Sequence, residues 1–145
     1  MKTAALLLSV ALTSAAFLTQ AQESRPYREG PVTEISFVKV KPGKFDEYMA
    51  YLAGPYREYM EANKKAGLIV SYGIYGARAR NPDEPDLYLT TTYANMAALD
   101  GLEDREAANI NKVFGSRKQS MQKAADRESM REVLGSELVR ELILK

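Results

Sequence analysis

Between Val32 and Ala77 the apolar residues change period twice, and that change leaves few folds open to the chain. Val32 to Val40 alternates with β-branched and aromatic residues, as a strand does. Lys41-Pro42-Gly43-Lys44 interrupts it, since proline donates no ladder hydrogen bond and glycine accepts unusual backbone angles. From Phe45 to Lys65 the spacing becomes three and four. Phe45, Tyr48, Met49, Leu52, Tyr56, Tyr59 and Met60 then fall on one helical stripe. Asp46 and Glu47 near the start and Lys64 and Lys65 near the end suit the helix dipole. Gly54-Pro55 predicts a kink and Gly67 a stop. Leu68 to Ala77 returns to a strand.

The second half repeats the plan. Asn81 to Asp86 is a proline-containing acidic loop, and Leu87 to Tyr93 is a strand, so the strands flanking the loop predict a hairpin. Asn95 is placed to cap Met96–Leu99. Glu103 to Phe114 and Ser116 to about Val133 read as helical, with capping-box spacing between Ser116 and Gln119. Gly135-Ser136 leads into a last strand, Glu137 to Leu144. The order βαβ–βαβ is the ferredoxin-like split βαβ plan, an α+β fold whose four-stranded antiparallel sheet carries its helices on one face. A solvated second face would show one polar parity in each strand. Instead, Leu138, Leu142 and Leu144 share one face of the last strand, while Val139 and Ile143 share the other. Something must cover the second face, and a homodimer is the simplest cover.

Three segments follow. Residues 1–21 have a basic start, a short apolar core and small residues before Ala21, as a cleavable signal peptide does. The apolar run is too short for a stable membrane span. A periplasmic or secreted protein is expected, with no membrane anchor after cleavage. Residues 22–31 read as a loose arm, and residues 32–145 as one domain. Cleavage removes Lys2 alone among the charged residues, leaving nineteen basic against nineteen acidic side chains. That balance argues against nucleic acid as a partner. With no cysteine, the fold rests on its core alone.

The first strand, the run Val40-Lys41-Pro42-Gly43-Lys44-Phe45-Asp46-Glu47-Tyr48, the long helix and the hairpin together resemble the dimeric α+β barrel superfamily. That group includes antibiotic-biosynthesis-type monooxygenases and the NIPSNAP-like and EthD-like proteins. The resemblance implies two sheets facing each other across a dimer, with a pocket between sheet and helices in each subunit. Its haem-handling and monooxygenase members lean on histidine or tryptophan, and this chain has neither. The resemblance therefore carries a fold and no activity.

The missing residues also narrow the chemistry. Without histidine or cysteine the chain lacks the usual general base, transition-metal ligands, haem ligand and thiol nucleophile, so no metal and no cofactor is expected. Asp83, Glu84 and Asp86 have oxygen ligands suited to calcium but not the EF-hand spacing, and a solvated turn is the simpler reading. Glu34 stands among apolar neighbours. It is the candidate general acid or base if it faces a pocket, or the partner of Arg78 or Arg140 if it does not. The nine tyrosines offer apolar walls with hydroxyls to orient a ligand, or simply fill core and interface. Tyr48, Tyr72, Tyr88 and Arg78 are the candidate ligand-binding set. Arg105, Arg117, Arg127 and Arg131 are expected to be solvated or in salt bridges. Three functions are consistent with these features: binding of a small apolar or aromatic molecule in a tyrosine-lined cleft, a cofactor-free isomerase, lyase or monooxygenase-like enzyme using Glu34 with tyrosine and arginine partners, and a dimeric interaction module.

Overall fold

The structure, a computed structural model, describes residues 25–145, so the candidate signal peptide lies outside the described residues. Strands β1 (Tyr27–Val40), β2 (Ser71–Gly76), β3 (Leu87–Tyr93) and β4 (Arg131–Leu144) form one sheet in the order β2-β3-β1-β4, each neighbouring pair antiparallel. Helices α1 (Phe45–Tyr51), α2 (Arg57–Lys65), α3 (Leu102–Arg105), α4 (Ala107–Phe114) and α5 (Arg117–Asp126) fill the connections. This is the ferredoxin-like plan that the periodicity predicts.

Strand alternation decides which residues meet the helices. Val32, Val38 and Val40 are buried and share a parity on β1; Leu87 and Tyr93 share one on β3. Val38, Val40 and Leu87 pack with Tyr48 and Leu52, which lie one helical turn apart on the predicted stripe, and Tyr93 packs further along with Met60 and Ile69. The kink falls where expected. Residues Leu52–Tyr56 form a wide turn around Gly54, whose backbone is non-helical, and Pro55 follows it. Asn95 and Ser116 cap as predicted: Ala98 N–H donates to Asn95 Oδ1 at 3.0 Å, and Gln119 N–H donates to Ser116 Oγ at 3.1 Å.

Three boundaries differ from expectation. Residues 27–31 are not a loose arm: Tyr27 pairs with Leu144, and the register shifts between Glu29 and Val32, where Pro31 is accommodated. The last helical region stops at Asp126, followed by a short turn Arg127–Ser129, and β4 begins at Arg131 rather than after Gly135. Phe45 starts the helix but is half-exposed, so it does not join the core stripe. Among the described residues no helix is long and apolar enough to cross a membrane.

Candidate functional site

Glu34 shares the parity of Val32 and Val38, so it stands on the helix-facing side of β1, between Thr91 of β3 and Leu138 of β4. Neither proposed arginine pairs with it. Arg140 instead bonds Glu29 at 2.6 Å, and among the described residues no arginine lies within ion-pair distance of Glu34. Its charge acts on a phenol and an acid, Tyr93 and Glu106. The Tyr93 hydroxyl is pushed up to about 12 by burial, with the charges of Glu34 and Glu106 adding to the effect.

Glu106 belongs to a buried polar chain. Asn63, only 1 % exposed, donates from Nδ2 to Glu106 Oε1 at 2.9 Å and accepts from Asn109 Nδ2 at 2.8 Å. This ties α2 to the start of α4. Burial raises the Glu106 pKa, opposed by a hydrogen bond from Tyr59 and by Arg105, and reinforced by Glu103 and Glu34. Burial also holds the Tyr59 phenol well above its ordinary range, as it does Tyr56. Two carboxyl groups and two phenols thus share one polar region between sheet and helices. Such a group can accept hydrogen bonds from a ligand, and burial makes the Glu106 carboxyl hold its proton to higher pH than a free one.

The predicted tyrosine set does not converge. Tyr48 is buried core, stacked on Tyr51 with ring centroids 6.1 Å apart. Tyr72, on the edge strand, meets Tyr56 edge-on and donates its hydroxyl to Glu61 at 2.7 Å. Tyr88 lies on the opposite, helix-free face, edge-to-face with Phe37 at 5.6 Å. Arg78 joins Tyr88 there, in a cavity of ≈ 520 Å³ lined also by Phe37, Arg80 and Glu84. Two of the four candidates therefore share a cavity, and Glu34 is not among the residues that line it. Arg127 and Arg131 also depart from expectation: their guanidinium groups lie over the rings of Tyr51 and Tyr48, at 4.8 and 5.8 Å. The acidic loop has an internal role. Asp86 Oδ2 accepts from the Val40 N–H at 2.9 Å, and its Oδ1 from Lys39 Nζ at 3.3 Å.

Asn63 and Glu106 carry no motif, but one signal was present. Asn63 falls four residues after Tyr59 and three after Met60, a polar residue on an apolar stripe. Glu106 could not be found this way, because its partners lie on another helix.

No family model matches the chain, and no curated protein matches it. Solved structures do resemble it. HapK from Hahella chejuensis is 12 % identical, with a TM-score of 0.50 over 76 % of this chain and 91 % of its own. Protein SO0527 from Shewanella oneidensis is 18 % identical, with a TM-score of 0.48 over 81 % and 98 %. A dimeric ferredoxin-like protein from an uncultured marine organism is 9 % identical, with a TM-score of 0.49 over 81 % and 98 %. At such identities the likeness speaks to fold alone. The chain has the ferredoxin-like fold that its resemblance to the dimeric α+β barrel superfamily implied.

Proposed function

We propose that this is an exported, self-associating protein that binds a small aromatic molecule carrying hydrogen-bond donors, between the sheet and the helices. One observation carries the reading: Glu34 faces the helices without an arginine partner, close enough for its charge to act on both Tyr93 and Glu106. A partly buried carboxylate is costly unless its oxygens find donors. No cationic side chain pairs with Glu34 among the described residues, so its oxygens can accept from a donor brought by a ligand, and tyrosine rings suit an aromatic body. Export rests on residues 1–21, and self-association on the apolar helix-free face. Native mass spectrometry of protein drawn from the periplasm of an expressing host tests the reading, because it reports mass of chain, partner and bound molecule together. The expected result is a chain beginning at Gln22 with a co-purified aromatic molecule. Glu34→Gln should weaken its retention about tenfold, the worth of one charge-assisted hydrogen bond. A chain empty from every source, or a Glu34→Gln variant that retains the molecule fully, would count against it.

The raised Glu106 pKa favours a second reading, a cofactor-free acid–base catalyst in which Glu34 and Glu106 exchange a proton with the bound molecule. The same variant separates the two. Under catalysis Glu34→Gln still binds the molecule but no longer exchanges its acidic hydrogens for deuterium, whereas under binding alone the wild type exchanges none.

A further inference from the structure

A second cavity lies at the other end of the helix-facing side, between α5 and the start of β4, with a volume of ≈ 640 Å³. We propose that it binds an apolar monocarboxylic acid, its carboxylate on Arg131 beside Lys41 and its hydrocarbon body against Met121, Ala124 and Val133.

The cationic end is built and incomplete. Arg131 pairs with Val40 in the sheet register, and the Lys41 N–H donates to Met130 O at 2.9 Å, so the start of β4 and the residue directly after β1 hold the two cations side by side. The Tyr48 ring beneath the guanidinium restrains it further. Yet Arg131 Nε is buried and has no hydrogen-bond partner, the only side-chain atom in that position among the described residues. A buried donor left unpaired is destabilising, and a guanidinium is matched best by a planar, two-oxygen acceptor. The remaining wall is apolar and uncovered: Met121 is 68 % and Val133 48 % exposed, and Ala124 leaves space between them. An aliphatic tail would cover both. Glu128 and Glu132 also line the cavity, and among the described residues neither is ion-paired. They balance Lys41 and Arg131 one for one, so a second negative charge on the ligand meets no surplus cation, which disfavours a phosphate dianion against a monocarboxylate.

Titration of the full chain with decanoate, decanol and decyl phosphate, followed by calorimetry and by the methyl resonance of Met121, tests this. Decanoate should bind and shift that resonance, with decanol and decyl phosphate each at least about tenfold weaker. Arg131→Gln should reduce decanoate affinity by a similar factor. Because Arg131 also covers Tyr48, Ala124→Phe serves as an independent variant that fills the cavity from a surface helix and should abolish binding with the fold intact. The proposal is overturned by no decanoate binding at millimolar concentration, by equal affinity for decanol or decyl phosphate, or by an Ala124→Phe variant that binds as well as the wild type. Glu34→Gln should leave decanoate binding unchanged, so this site and the one beside Glu34 fail separately.

Discussion

Glu106 has its pKa raised in the folded state chiefly because burial disfavours its charged form, with Glu103 and Glu34 adding to the rise against Tyr59 and Arg105. The sign of the consequence is fixed. Stability tied to the protonated carboxyl is fully present below the unfolded pKa of about 4.3 and is lost as pH climbs through the higher folded value. Glutamine keeps an acceptor for Asn63 Nδ2 and never ionises. Glu106→Gln should therefore melt close to the wild type at pH 4 and above it at pH 7, the gap opening between those values. Thermal melts across that range check this, and a gap that is constant or reversed would show that Glu106 is not the group responsible. None of these groups announces itself singly. Glu34 was legible because it interrupts an apolar strand; Asn63 went unread, although it interrupts an apolar helix stripe in the same way. Glu106 is one of many acids on a late helix, and only tertiary packing sets it apart.

At the scale of elements, the period changes located all four strands and the kinked helix, because the core needs one buried parity on β1 and one buried stripe on α1 and α2. The misplaced boundaries share a cause. Residues 27–31 contain Gly30 and Pro31, and residues 127–133 contain helix-compatible Arg, Glu and Met. In both places local preference is overruled by the long β1–β4 pairing, which runs from Tyr27–Leu144 to Val40–Arg131. The acidic loop was misjudged for a related reason. Its last residue, Asp86, returns to the sheet, where its carboxylate receives Val40 N–H and Lys39. Asp86→Ala leaves the Val40 amide without its partner and should cost about 1–3 kcal/mol of unfolding free energy. Asp83→Ala removes only an exposed loop carboxylate and should stay within about 0.5 kcal/mol. Denaturant titration of the two variants distinguishes a structural carboxylate from a merely solvating one.

The whole molecule has one unbalanced surface. The helices cover one side of the sheet, while Ile35, Phe37 and Tyr88 lie on the other side, where the loop after β2 reaches only the end beside Phe37 and Tyr88, and Tyr75 there is 58 % exposed. Strand β4 adds to the imbalance. It is an edge strand of 14 residues, and it presents Leu138, Leu142 and Leu144 to one side and Val139 to the other. Long apolar edges and faces of this kind drive association unless charge or cover blocks them. The charges on the open face lie towards its margins, with Glu137 and Glu141 on β4 and Lys39 near the end of β1. That arrangement of apolar centre and polar rim is the one expected of an interface. The chain is therefore expected to sediment as a dimer at micromolar concentration, and Phe37→Glu, which buries a charge at the centre of that face, should yield a monomer. Its circular dichroism should be unchanged, since the side chain points away from the core that Val38 and Leu52 define. A wild type that sediments as a monomer would overturn self-association itself, whereas a Phe37→Glu variant that remains dimeric would move the interface away from the open face, leaving the β4 edge as the surface to test next.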